Sequence, residues 1–415
     1  MENNATTETI QAPAAFIAGP LVTDELDLTL VVPCLNEART IGAVVGKSLS
    51  ALARLGLRGE VLVSDNGSID GSIEIARGLG ARVVHCPDRG YGNALRFGMS
   101  QARGRWIIMG DADDTYNFEE IDPFVTQFRA GAEFVMGTRL PPGQMLPGAN
   151  PWLNRHVGTP ALTFVLNRLF GTGIHDTNCG MRGLTRSAFD RLDLKSDGME
   201  FASEMVIKAA LNRLRIAEVP VTLYPDRRDR APHLRRWRDG WRHLEFMLLH
   251  APDQLLFFPG ALVAAIGLLL IIPVALGPRY VLGHLFDFHS LFYGGTGVLI
   301  GLQGIMGSIL IRDVVGGIVM RPNRAASALS RWFTFGRGLA LGGVLFAGGL
   351  ALELLVVAIW IRAGFGPMSE PRRSVLGMLL MGVGVEIAVF SFLHGVLRRH
   401  LRAPRLERPA RASVS

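Results

Sequence analysis

The spacing of hydrophobic positions changes at about residue 254. Before it, short apolar runs alternate with amphipathic stretches; after it, apolar runs of more than twenty residues appear. In the first half, Leu28 to Val32 reads as a strand closing at Pro33, followed by Asn36-Glu37 and a helical pattern from Thr40 to about Leu57. Val61-Leu62-Val63 is the next strand, and the turn formers from Ser64 to Gly71 lead into a helix over Ser72 to Leu79. Val83-Val84 is a third, and Gly90-Tyr91-Gly92-Asn93 opens a helix running to about Ala102. A fourth strand, Ile107 to Met109, is released at Gly110 into Asp111-Ala112-Asp113-Asp114, and Phe134 to Met136 is a fifth. Strands alternating with helices of this length predict βαβ units and an α/β fold with a doubly wound, mostly parallel sheet.

The second half reads as membrane. Runs at about Leu255 to Leu276, Ser290 to Ile311, Gly338 to Ile361 and Ser374 to Leu397 are each long enough to cross about 30 Å of hydrocarbon. Between the halves, Asp226 to Arg242 holds seven arginines against three aspartates, with Trp237 and Trp241 among them, which predicts an amphipathic helix at the lipid surface. The expected organisation is a disordered tail over 1–27, a catalytic domain over 28–225, an amphipathic juxtamembrane segment over 226–252, four transmembrane helices over 253–400 and a basic tail over 401–415. Pro259 and Pro273 are expected to kink the first span, and Gly342, Gly343, Gly348 and Gly349 to permit close helix contact, leaving room for a homo-oligomer through the membrane helices. Glu353 and Glu386 fall near the middle of the last two spans. They share a proton or a polar cavity, or they hold two helices together as neutral acids; the second is favoured.

Charge fixes the expected orientation. Arg227 to Arg242, the stretch Arg312 to Arg337 with five arginines, and the tail from Arg398 with six share one side of a four-span chain, whereas the opposite loops carry one and three. The positive-inside bias puts the first half and both termini in the cytoplasm, at the cell's inner membrane. The net charge of +7 therefore indicates anionic lipid head groups and not nucleic acid. Met1 to Asp27 lacks the basic segment and apolar core of a secretory signal. Cys34, Cys86 and Cys179 fit neither a disulfide framework nor a zinc spacing, and read as packing residues.

Candidate chemistry gathers at the strand ends. Asn36-Glu37, Asp65 and Asp111/Asp113 each follow a strand, and in a parallel sheet those carboxyl ends lie on one edge, where open α/β sheets bind ligands. Aspartates at alternate positions of an extended backbone can turn towards one hard cation, and a cation there neutralises a diphosphate. Asp65 is placed to hydrogen-bond a base or ribose. Taken singly, each is equally a turn or helix cap; jointly they suit a nucleotide sugar.

The order Pro33-x-x-Asn36-Glu37, Asp65-x-Gly67-Ser68-x-Asp70-Gly71, Gly90-x-Gly92-x-Ala94 and Asp111-Ala112-Asp113 resembles the family 2 glycosyltransferases of the GT-A fold, and more narrowly the polyprenyl-phosphate and dolichol-phosphate sugar synthases. The likeness continues through Gly137-Thr138-Arg139, Asp176 to Arg182 and Glu218 to Val221, and so covers about residues 28 to 250. It implies that Asp111 and Asp113 hold Mg2+ or Mn2+ against the donor diphosphate, and that Pro33, Asn36, Glu37, Asp65 and Gly67 contact the nucleotide sugar. It further implies that Arg139 and Arg182 meet phosphates, Arg182 towards the lipid-borne one. Thr115 stands where some relatives place a metal-binding glutamine. Glu204 is the nearest candidate for a base or a donor-sugar contact, and an exposed helix charge is as good a reading of it. Arg227, Arg228, His233 and Arg235 are placed to reach the lipid phosphate, or serve as membrane anchors.

The implied reaction is metal-dependent, inverting transfer of a single sugar from a nucleotide donor to an undecaprenyl- or dolichyl-type phosphate. A phosphate monoester, with a second pKa of about 6, is already largely ionised at neutral pH, so a strong general base is unnecessary. Two alternatives stand beside it. His233-x-x-Arg236-Trp237 is similar in part to the Gln-x-x-Arg-Trp of processive polysaccharide synthases, with His for Gln. A non-catalytic nucleotide-sugar-binding scaffold is the other, opposed by the intact Asp111, Asp113, Arg139 and Arg182.

Overall fold

The computed structural model describes residues 26–226, 236–281, 283–315, 323–367 and 370–402. The first half opens with β1 (Leu26–Cys34), α1 (Ile41–Arg54), β2 (Gly59–Asp65), α2 (Ser72–Gly78), β3 (Arg82–His85), α3 (Tyr91–Gln101) and β4 (Gly104–Met109). It continues with α4 (Asp122–Arg129), β5 (Phe134–Thr138), β6 (Gln144–Met145), α5 (Thr159–Phe170), β7 (Arg182–Thr185), α6 (Arg186–Leu192), α7 (Phe201–Leu211), β8 (Ile216–Pro220) and β9 (Thr222–Leu223). The amphipathic periods account for the helices: in α1, Ile41, Val44, Val45, Ser48, Ala51 and Leu52 are buried, one face at spacings of three and four.

Seven strands form one sheet in the order β3-β2-β1-β4-β7-β5-β8. All pairings are parallel except those of β7, which runs antiparallel to both β4 and β5. The GT-A-like, mostly parallel sheet expected from the sequence is thus present, with β7 as an unforeseen antiparallel insertion. Helices cover both faces, giving one apolar core with α1 and α4 and a second with α3, α5, α6 and α7. Because the chain leaves β1 towards β2 and β3 and returns on its other side as β4, a crevice opens between β1 and β4 at their carboxyl ends.

The second half begins with α8 (Arg236–Leu249) and α9 (Phe258–Val274), followed by the hairpin β10 (Arg279–Val281) and β11 (His284–Phe286), and then α10 (Phe288–Val315), α11 (Arg324–Trp332), α12 (Phe335–Arg362) and α13 (Pro371–Arg402). Among the described residues, four helical segments are long and apolar enough to cross a membrane: Asp253–Val274, Phe288–Val315, Phe335–Arg362 and Pro371–His400. The sheet starts at Leu26, slightly earlier than the hydrophobic run suggests, and the last helix enters the basic tail as far as Arg402.

Both prolines lie within the continuous first span Asp253–Val274: Pro259 directly follows a π-helical turn over Asp253–Phe257, and Pro273 lies near the end of α9. Two expectations change here. Of the four glycines in α12, Gly342 and Gly349 meet the backbone of α13 at Gly384 and Gly377, while Gly343 and Gly348 face open space. The two membrane glutamates do not pair. Glu353 accepts a hydrogen bond from Ser374 at 3.0 Å, whereas Glu386 accepts from Gln303 at 2.8 Å, so each links its own pair of helices.

Candidate active site

The rim is built from the ends of β1, β2 and β4. β1 pairs with both others, so the ends carrying Asp65 and Asp111 stand two strand spacings apart, about 10 Å. Pro33 sits in register with Ser64 at the close of β1. Asn36 then adopts φ 57, a left-handed turn that Asn tolerates. That turn lets its N–H donate to Ser68 Oγ at 2.9 Å and its Oδ1 accept from the Ile69 N–H at 2.8 Å, locking the β1 loop onto the β2 loop. Glu37, buried, donates its N–H to Ser72 Oγ at 2.8 Å.

Asp65 accepts from the N–H groups of Gly67 at 3.2 Å and Ser68 at 3.0 Å. His85 Nδ1 lies 3.1 Å from Asp65 Oδ2, and Arg77 Nη2 lies 3.1 Å from His85 Nε2. Arginine only donates, so Nε2 accepts and the ring proton is assigned to Nδ1, pointing at Asp65. Burial pushes the Asp65 carboxyl up, but the hydrogen bonds from Ser68, His85 and Gly67 outweigh it and hold the group below the usual carboxylate range.

At the end of β4 the acidic run divides its labour. Asp111 Oδ1 accepts from the Tyr91 hydroxyl at 2.9 Å, and burial beside the Asp111 charge holds that phenol well above its ordinary pKa, as a donor. A Cβ at Gly180 would stand 2.6 Å from Asp111 Oδ2, so only glycine lets the loop before β7 close on this carboxylate. Tyr116 fixes that loop by accepting the Gly180 N–H at 2.8 Å. Asp113 Oδ1 accepts from the N–H of Thr115 at 3.1 Å and from its hydroxyl at 2.6 Å, so Thr115 orients the aspartate. Asp114 turns away at φ 58 into an ion pair with Lys47 at 2.6 Å.

Two carboxylates suit a metal that shares its shell with a diphosphate: Mg2+ takes one or two carboxylates plus substrate oxygens and water. Among the described residues no cluster of three or more His, Cys, Asp or Glu forms a closed protein cage.

Arg139 lies behind this rim. Its N–H and Nε reach Asp176 Oδ2 at 3.0 and 2.7 Å, and Nη2 reaches Oδ1 at 2.8 Å. This is a bidentate, nearly dry clamp that fixes the guanidinium plane. Burial opposes its charge, but Tyr116 and Asp176 raise its pKa well above the ordinary value. Cys179 beside it is an inert thiol, pushed up by burial to about 12.

Two expectations fail on geometry. Arg182 has no exposed surface, and its guanidinium donates to the carbonyls of Cys179 at 2.8 Å, Thr177 at 2.8 Å and Ala202. It ties the loop before β7 to α7, and a lipid phosphate cannot reach it. Glu204 is neither an exposed helix charge nor a base facing the rim: it is buried, pairs with Lys208 at 2.7 Å and accepts the N–H groups of Lys195 and Ser196 at 3.0 and 2.8 Å. Burial pushes its carboxyl up, but Lys208 and those N–H groups bring it below the usual range. Arg227, Arg228, His233 and Arg235 lie outside the described residues.

An apolar flank lies on and just before α5, where Trp152, Leu153, Val157 and Phe164 are exposed. Gln254, at the start of the first span, donates to the Leu169 carbonyl at 3.0 Å, which ties the end of α5 to that span. α8 packs Met247 into the core beside α7, joins it through Ser203 and His243 at 2.8 Å, and leaves Trp241 exposed. The tryptophan signal marked α8 in the sequence; the flank at α5 went unread because Trp152-Leu153, Val157 and Phe164 form no continuous apolar run.

Comparison with known proteins matches this arrangement. Residues 29–193 fit the glycosyl transferase family 2 description, and residues 313–398 fit the glycosyltransferase family 2 C-terminal transmembrane region. The low-salt glycan biosynthesis hexosyltransferase Agl6 of Haloferax volcanii is 37% identical over 376 residues, covering 89% of this chain and 89% of that protein. The dolichyl-phosphate hexose transferase of the same organism is 33% identical, over 47% of this chain and 82% of that one. Among solved structures, glucosyl-3-phosphoglycerate synthase from Mycobacterium tuberculosis, in complex with Mn2+, UDP and glucosyl-3-phosphoglycerate, shares 22% identity over 54% of this chain and 79% of that chain, at a TM-score of 0.44. The chain belongs to glycosyltransferase family 2. It is a multi-pass membrane enzyme of that family, related to dolichyl-phosphate hexose transferases.

Proposed function

We propose that the protein transfers one hexose from a nucleotide sugar to a polyprenyl phosphate, with inversion at the anomeric carbon, on the cytoplasmic face of the cell membrane. The observation that carries this reading is the pair Asp111 and Asp113 at the end of β4, beside the β1/β4 crevice and about 10 Å from the β2 end that carries Asp65, a separation suited to a nucleoside joined to a diphosphate. Asp65, oriented by His85 and the N–H groups of Gly67 and Ser68, takes the base or ribose, with Pro33, Asn36 and Glu37 forming the adjoining wall. Asp111 and Asp113 would hold a divalent cation, which would supply charge neutralisation at the diphosphate. Tyr91 and Thr115 fix the two carboxylates, and Arg139, neutralised by its bidentate pair with Asp176, holds the loop before β7 against the end of β5.

The acceptor comes from the membrane. The exposed Trp152, Leu153, Val157 and Phe164 give a polyprenyl chain an apolar approach, and the names of the two Haloferax relatives favour a hexose and a lipid phosphate. Arg227, Arg228, His233 and Arg235, between the sheet and α8, are assigned to the lipid phosphate. Because that phosphate is already ionised, positioning replaces a strong base, and the structural engagement of Glu204 is no obstacle. A single displacement inverts the sugar. The test compares the purified protein with its Asp113→Asn variant, with and without a metal chelator, for sugar carried into the organic phase by polyprenyl phosphate. Loss under either treatment, with an unchanged unfolding profile, is expected; transfer that survives both removes the metal from the reading.

A further inference from the structure

One polar pair in the membrane half faces lipid at mid-depth. Gln303 on α10 is exposed and donates through Nε2 to Glu386 Oε1 on α13 at 2.8 Å. At about 1.5 Å per residue both lie about 20 Å from either end of their helices, near the centre of the hydrocarbon. Glu386 Oε2 is buried with no hydrogen-bond partner among the described residues. The second N–H and the carbonyl of the Gln303 amide likewise have no partner among them. The ion pairs that join the ends of these helices, Asp287 just before α10 to Arg372 at 2.5 Å and Asp313 to His394 at 2.7 Å and Arg398 at 3.6 Å, lie where water and head groups reach.

The packing of the four spans shows why this pair is exposed. Gly260, Gly267, Gly294 and Gly301 bring α9 and α10 into backbone contact, and Gly342, Gly349, Gly377 and Gly384 do the same for α12 and α13. The two tight pairs meet along a seam between α10 and α13, where Leu379 lies against Gly295 and Leu299 against Gly382. Gln303 is on the lipid side of that seam. In hydrocarbon an unpaired amide or carboxyl group is costly, and such groups in spans normally face protein or a water-filled cavity.

We propose that a second copy of this chain covers the α10 face formed by Thr296, Ile300, Gln303 and Gly307, so that the protein is a two-fold dimer in the membrane with the Gln303 amides paired across the axis. The spacing of four, three and four puts these residues on one stripe of the helix. Thr296 spends its hydroxyl on the Phe292 carbonyl at 2.9 Å, and Gly307 adds no side chain, so backbones can approach closely. An amide carries both a donor and an acceptor, which makes it self-complementary, as an isologous contact requires; a lipid tail offers neither.

The full-length protein, labelled once and reconstituted at low density in liposomes, tests this by counting bleaching steps. Two-step bleaching is expected for the wild type, and Gln303→Leu/Glu386→Leu is expected to lower the dimer fraction at least tenfold without changing the thermal unfolding of the catalytic half. In a background without native cysteines, Ile300→Cys should cross-link between copies under oxidation, whereas Val344→Cys, the more exposed of the two and on α12, should not. Single-step bleaching of the wild type, dimers that persist in the double variant, or equal cross-linking at 344 would each overturn the proposal.

Discussion

The hydroxyl of Tyr91 donates to Oδ1 of Asp111 across 2.9 Å, joining the first turn of α3 to the end of β4. The glycines on either side of Tyr91 make the contact possible. A Cβ at Gly90 or Gly92 would press on the backbone of Asp197 or Ser196 at 2.3 and 2.5 Å, and the Gly92 N–H donates to the Asp197 carbonyl at 2.9 Å. The Gly-x-Gly motif thus pins the 196–198 loop and points Tyr91 at the aspartate.

If Tyr91 positions a carboxylate that serves the donor, Tyr91→Phe removes a charge-assisted hydrogen bond worth about 1.5–3 kcal/mol and leaves the ring in place. Donor KM should rise by roughly tenfold or more, with little change in acceptor KM. Steady-state kinetics with each substrate varied in turn check this, and an unchanged donor KM would mean that Asp111 keeps its orientation without the phenol.

Glu204→Gln should cost stability and not chemistry. Removing the charge leaves Lys208 buried without its ion pair, a loss of about 3–5 kcal/mol for pairs of this kind. The melting temperature should fall while kcat per folded molecule stays within a few-fold of wild type. A collapse of kcat at an unchanged melting temperature would restore Glu204 as a base.

The clamp between Asp176 and Arg139 predicts a pH dependence. Burial pushes the Asp176 carboxyl up, but the charge and hydrogen bonds of Arg139 more than compensate and hold it below the usual carboxylate range. A carboxylate with a depressed folded pKa stabilises the protein above its unfolded value, about 3.9, and loses that contribution as pH falls through the folded one. Wild-type stability should therefore decline below about pH 4, and Asp176→Asn should start lower at neutral pH and show a shallower acid decline. Thermal unfolding of both proteins across that range decides it; parallel curves would show that the pair is not the titrating element.

The sheet was legible because its information is local: apolar runs, turn formers after each run, and helical periods between them. The rim at Asn36, Asp65 and Asp111 followed from strand polarity alone. β7 was not legible, since Arg182-Gly183-Leu184-Thr185 has no apolar run and owes its strand to the flanking β4 and β5. Arg182 was misjudged for a related reason: its partners are backbone carbonyls of Thr177, Cys179 and Ala202, which have no side-chain signature. Glu204 did carry a signal, Lys208 one helical turn on, and that spacing marks an ion pair more directly than a catalytic base.

The arginine distribution predicts that α11 and the active site share the cytoplasmic side while the β10/β11 hairpin faces outward. A cysteine at the exposed Ala328 should resist an impermeant thiol reagent in intact cells, and one at the exposed His284 should react, in a background without Cys34, Cys86 and Cys179. The reverse labelling pattern would invert the orientation.

The central claim is that one sugar passes to a lipid phosphate. Detergent-purified protein incubated with a panel of nucleotide sugars, a divalent metal and polyprenyl phosphate, followed by mass analysis of the lipid, tests it most directly. The account predicts a single-hexose adduct of the lipid phosphate from one nucleotide sugar of the panel. A ladder of added sugars, or an unmodified lipid with every donor, would contradict it.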